Sequence, residues 1–173
     1  MERAWLFETM CVTVFEVDFL DPALRFEPDA RERGVRVELR PTSSAPTGGT
    51  VYASDPITLQ PAICRIDLLE SRPGAADRMH WHPVMRAGEP GDRTFDAALS
   101  ADPLGWLTER LGNVTILLSG AGAEPAARHE IDAAAVAKMA DEIVAAVSIG
   151  LENCRAPWPD VAHDERGMAL AGP

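Results

Sequence analysis

The spacing of apolar residues changes once along this chain, near residue 95, and that change restricts the fold more than any other feature. Before it, apolar side chains recur at every second position; after it, at every third or fourth. The first spacing is that of a strand with one buried face, the second that of a helix with one buried stripe. In "GVRVELR", Val35, Val37 and Leu39 share a face and Arg36, Glu38 and Arg40 the other, a strand with one wet side. "CVTVFEVDF" places Cys11, Thr13, Phe15, Val17 and Phe19 together, with Val12 and Val14 adding apolar bulk opposite. "AICRIDLLE" alternates Cys64, Ile66 and Leu68 against Arg65 and Asp67. Asp21-Pro22 ends the earlier strand, residues 41–49 form a connection rich in turn formers, and a shorter strand is expected over residues 50–53.

Beyond the switch, Asp102 is a good helix N-cap and Pro103 suits the first helical position. Leu104, Leu107, Leu111, Val114 and Leu118 then fall on one stripe, which predicts a continued or kinked helix across Gly112-Asn113. The alternative is a strand beginning at "VTILLS". In "IDAAAVAKMADEIVAAVSIGLENCR", Asp132 is placed to cap a long helix, and Val136, Met139, Ile143, Val147, Gly150 and Cys154 share a face. Such a stripe serves either as core against a sheet or as a dimer seam. Strands followed by helices read as α+β: an antiparallel sheet from the N-terminal half packed by C-terminal helices, in one domain over 1–155. A β-barrel with appended helices is the other arrangement. The segment 156–173 carries no period and is expected to be an irregular tail with Trp158 as anchor.

Composition narrows the function classes. With 173 residues, 46% hydrophobic and 25% charged, the chain can bury a core without disulfides or metal. Its mean hydropathy is -0.08, and the longest apolar run, "NVTILLSGAGA", is too short and interrupted to span a bilayer. Glu8 and Glu16 break up any secretory leader, and the three cysteines, Cys11, Cys64 and Cys154, lack C-x-x-C spacing. Both features lead us to expect reduced, buried thiols in a cytoplasmic protein. Lysine occurs only at Lys138 among abundant Arg, Ala, Gly and Pro, which reads as the coding bias of a GC-rich bacterial genome. A net charge of -11 argues against nucleic-acid binding; the most basic stretch, with Arg31, Arg33, Arg36 and Arg40, is interleaved with Glu32 and Glu38.

One stretch points to chemistry: "GAADRMHWHPVMRAGEPGD", residues 74–92. On a strand, His80 and His82 point to one side while Met79 and Trp81 point to the other and brace the backbone. Two imidazoles so placed can share one ion or act together in acid–base work. A metal needs a third ligand, and Glu89 or Asp92 can supply it from a glycine- and proline-bearing loop. The resulting two-histidine, one-carboxylate set suits Zn(II), Mn(II) or Fe(II). Asp67 can approach from the preceding strand, and His129 and His163 are further candidates. The Gly74, His80 and His82 spacing resembles the opening of the first cupin motif. Where cupins place a glutamate, this chain has Arg86 and Ala87, and "PLGWLTER" lacks the histidine of the second motif, so the family is not assigned.

Other patterns carry less. "LLSGAGAEP" lacks the glycine spacing of a phosphate loop, no serine sits in a strand–turn–helix elbow, and Cys154 beside Arg155 reads as a core thiol. Two functional readings remain. One is a metal- or small-ligand-binding protein, catalytic or not, centred on His80 and His82. The other is a non-catalytic homodimer or partner-binding module using the C-terminal helix.

Overall fold

The structure is a computed structural model that describes residues 2–27, 30–45, 48–49 and 54–170. The strand expected over residues 50–53 lies outside the described residues. The N-terminal half forms an antiparallel sheet from β1 (Glu2–Leu6), β2 (Met10–Leu20), β3 (Arg31–Ser44), β5 (Cys64–Glu70) and β6 (His80–His82), in the order β1-β2-β3-β5-β6. A short β4 (Ile57–Leu59) pairs with the far end of β3, and β7 (Met85–Arg86) and β8 (Glu89–Pro90) form a separate hairpin. The sheet is open, with β1 and β6 as its edges, so it is not a barrel.

The second half is helical: α1 (Ala97–Ala101), α2 (Pro103–Gly112), α3 (Thr115–Ala121), α4 (Ala123–His129) and α5 (Ala133–Cys154). The fold is therefore α+β, as the change of period requires. Register assigns the two sheet faces. Val12 pairs with Leu39, Val14 with Val37, Val37 with Ile66 and Leu39 with Cys64, so these side chains share the face on which the helices lie. All of them are fully buried. The opposite face carries Cys11, Thr13, Phe15, Val17 and Phe19 of β2, so the five-residue set on this strand lies away from the helices. That outer face is also less wet than alternation suggests, because Glu32, Glu38 and Asp67 are buried on it.

Helix α5 packs on β2 and β3, and α2 packs on α5. Its stripe is core: Val136, Ile143, Val147, Gly150 and Cys154 are buried, and Met139 is half-buried against them. The thiol of Cys154 lies 3.2 Å from the Gly34 carbonyl oxygen. Gly34 is required here, since a Cβ at this position would collide with the Leu68 carbonyl and lie 3.0 Å from Leu69 Cα. The stripe expected to form one helix beyond Asp102 is divided in two. Asn113 closes α2 and α3 begins at Thr115, while Leu107, Leu111, Val114 and Leu118 still reach the same core. Asp102 caps α2 through Gly105 N, as expected.

Asp132 does not cap α5. Its carboxylate turns instead to the β1–β2 connection, accepting from Glu8 N and Thr9 N at 2.9 Å each and from Thr9 Oγ1 at 2.6 Å. Those donors have no strand partner, and a buried carboxylate satisfies them better than one more helix N–H would be satisfied. In the terminal segment, Trp158 Nε1 donates to the Cys154 carbonyl oxygen at 2.6 Å, and Arg31 Nη1 donates to Pro159 O at 2.9 Å. No helix among the described residues is long and apolar enough to cross a membrane.

Candidate metal centre

The site grows from the register of three strands. Antiparallel pairing sets Asp67 of β5 opposite His80 of β6 and Arg65 opposite His82, while Ile66 pairs with Trp81 on the core side. On the other flank, Arg36 of β3 stands opposite Asp67 and Glu38 opposite Arg65. Directly paired residues share a face, so one row runs Phe15, Arg36, Asp67, His80 and the next Thr13, Glu38, Arg65, His82. Both rows lie on the outer face.

Four features hold β6 rigid. Met79 is fully buried, and the indoles of Trp81 and Trp106 meet edge to face at 5.9 Å. Trp81 exchanges two backbone hydrogen bonds with Thr94, at 3.0 and 2.8 Å. Just past His82, Pro83 lies so close to α3 that a Cβ on Gly120 would come within 2.7 Å of Pro83 Cβ. These contacts fix where both imidazoles begin.

His80 and His82 are 1% and 2% exposed and Asp67 is fully buried, although the face that carries them is the one without helices. The imidazoles meet edge to face with centroids 4.9 Å apart. Nδ1 of His80 lies 2.8 Å from the Arg78 carbonyl oxygen, and Nδ1 of His82 lies 2.9 Å from that of Gly91. A carbonyl oxygen only accepts, so each Nδ1 carries the hydrogen. Nε2 is then the ring nitrogen each imidazole has left to offer. Both Nε2 atoms aim at the same atom, Asp67 Oδ2, at 3.4 Å from His80 and 3.6 Å from His82. His82 Nε2 also sits 3.3 Å from Arg65 Nη2, a donor. His80 Nε2 is buried without a hydrogen-bond partner; its contact with Asp67 is too long to count as one.

Asp67 is ionised. Burial alone would raise its pKa, but the two imidazoles and the Arg36 charge override burial and hold it far below the ordinary carboxylate range. Arg36 Nε donates to Oδ1 at 2.6 Å and Arg65 Nε to Oδ2 at 2.8 Å. One carboxylate oxygen and two imidazole nitrogens thus converge on one point, the donor set a divalent cation takes. Asp67, His80 and His82 offer one ligand atom each, all within 4.8 Å of one another, and they form a buried group that could hold a metal ion. The backbone carbonyls behind each Nδ1 supply the outer support that metal-bound histidines use.

Among the residues named from sequence, the structure brings His80 and His82 together and adds Asp67. Glu89 and Asp92 are both exposed, on and beside the β7–β8 hairpin. Ala87 and Gly88, both with positive φ, make that hairpin's turn, and it projects Glu89 opposite Arg86. His129 is buried elsewhere, with Nδ1 2.8 Å from Thr9 Oγ1, and His163 is exposed in the terminal segment. Sequence reasoning had no sign that Arg36 and Arg65 converge on Asp67; their alternation with Val35, Val37 and Ile66 gave their face but not their neighbours. Comparison with models of protein families, with curated proteins and with solved structures returns no match.

Proposed function

We propose that this chain is a divalent-metal-binding protein whose Asp67, His80 and His82 hold one Zn(II) ion. The observation that carries the proposal is His80 Nε2: a buried ring nitrogen, without a hydrogen-bond partner, aimed at an ionised carboxylate. The donor set suits zinc, which takes imidazole nitrogen and carboxylate oxygen together. Tetrahedral bonds of about 2.0–2.2 Å put ligand atoms about 3.3–3.6 Å apart. The observed separations from Asp67 Oδ2 are 3.4 and 3.6 Å. Three protein ligands leave one position of a tetrahedral ion open for water or a substrate.

Binding to the native state alone raises the melting temperature in proportion to the logarithm of free metal. Zn(II) should therefore raise the melting temperature of the wild-type chain and of Glu89→Gln and Asp92→Asn, and leave His80→Ala and Asp67→Asn unmoved. His80→Ala is the cleaner variant, because removing Asp67 strands two guanidinium groups. Equal shifts in wild type and His80→Ala would refute the assignment, as would the absence of any shift in wild type.

A further inference from the structure

The arginines that hold Asp67 do so in a way that leaves most of each guanidinium unused. Arg36 gives the carboxylate only its Nε, and Arg65 gives its Nε and directs Nη2 to His82. Both Nη groups of Arg36 and Nη1 of Arg65 have no protein hydrogen-bond partner among the described residues. Both residues line a shallow cleft of about 600 Å³ on the outer face, which Arg93 also lines. Arg93 makes only long contacts with its acids, 3.5 Å to Asp21 and 3.8 Å to Glu32. The remaining wall is apolar, from Phe15, Val17 and Phe19, and the Arg36 guanidinium lies 5.9 Å from the Phe15 ring centroid.

Two acids reach the same rim, and both are already engaged. Asp18 is bound by Arg31 at 2.6 Å and Arg33 at 3.6 Å, and Glu16 accepts from Asn153 at 3.0 Å. A chain of net charge -11 thus concentrates three partly unsatisfied guanidinium groups beside an aromatic wall. Guanidinium groups that outnumber the acids lining one cleft of an otherwise negative body draw small anions rather than polyanions, which the surrounding surface repels. Planar guanidinium edges match the paired oxygens of a carboxylate or phosphate. We infer that this cleft binds the oxyanion of a small organic acid, with Arg36, Arg65 and Arg93 on the oxygens and Phe15 and Phe19 against its apolar body.

The inference goes beyond the metal reading and does not depend on it, since the test uses chain dialysed against chelator. Phenyl phosphate, benzoate and inorganic phosphate are titrated separately by calorimetry. The expected result is saturable binding of phenyl phosphate or benzoate, tighter than that of inorganic phosphate. Arg93→Gln and Arg36→Gln each weaken it about tenfold, the loss of one charge-assisted contact. Phe15→Ala removes the advantage of phenyl phosphate over inorganic phosphate. Phenyl phosphate against benzoate decides which oxyanion is preferred. Arg93 does not touch Asp67, so its variant tests the cleft even where Arg36→Gln fails to fold. Absence of saturation with all three probes, unchanged affinity in Arg93→Gln, or neither phenyl phosphate nor benzoate binding tighter than inorganic phosphate each overturns the inference.

Discussion

Replacing Asp132 tests whether its carboxylate holds the β1–β2 connection rather than starting α5. Three donors converge on it: Glu8 N and Thr9 N at 2.9 Å and Thr9 Oγ1 at 2.6 Å. Asp132 itself is 2% exposed, while Glu8 is exposed and Thr9 half-buried. A hydrogen bond to a charged group contributes about 1.5–3 kcal/mol when it cannot be replaced. Water reaches the turn and recovers part of this for the two amides, so Asp132→Ala should cost about 3 kcal/mol in all. For a chain of this size that lowers the melting temperature by roughly 6–12 °C. Thr9→Val keeps both amide bonds but removes the hydroxyl that joins Asp132 to buried His129 Nδ1, at about 2–3 kcal/mol. Urea unfolding with fluorescence detection measures both. If Asp132→Ala lies within about 0.5 kcal/mol of wild type, the range of an ordinary surface change, the reasoning fails.

Other consequences follow from the same packing. Gly34→Ala drives a Cβ into backbone atoms of β5 that cannot yield, and should cost more than about 4 kcal/mol or prevent folding, as judged by soluble yield and circular dichroism. Ile143→Ala, on the buried stripe of α5, should cost about 2–5 kcal/mol, whereas Ile149→Ala on its exposed side should stay within about 0.5 kcal/mol; denaturant midpoints distinguish the two. Burial, with help from the Arg128 charge, lowers the pKa of His129 below its ordinary 6.5. The folded state therefore binds fewer protons there than the unfolded chain, so its contribution is full above 6.5 and is lost as pH falls below that value. Scanning calorimetry from neutral to mildly acidic pH should show a melting temperature that declines less steeply in His129→Gln than in wild type. An equal slope would contradict the assignment.

The change of period carried the fold because it reports burial, and burial is what separates a strand from a helix in one chain. Val35, Val37, Leu39, Ile143 and Val147 all lie where their spacing puts them. Ligand sets are different, because they depend on which strands become neighbours and in what register. Nothing local in "AICRIDLLE" says that Asp67 will face His80, since that pairing joins strands separated by the excursion of residues 71–79. Loop proximity pointed to Glu89 and Asp92, but an Ala87-Gly88 turn closes that segment on itself as a hairpin. The capping site at Asp132 was attractive by position alone, and a tertiary demand from Glu8 and Thr9 overrode it. Helix α4 went unread because glycines before it masked a short run with few apolar residues.

Whether a metal ion or a proton lies between Asp67 Oδ2 and the two imidazoles is the decisive question. The direct measurement is the metal content of wild-type and His80→Ala chains, stripped with chelator, reloaded with Zn(II) and freed of excess by gel filtration. One ion per chain in wild type and close to none in His80→Ala is the predicted result. Metal-free wild type after reloading, or equal metal in both chains, would contradict the assignment.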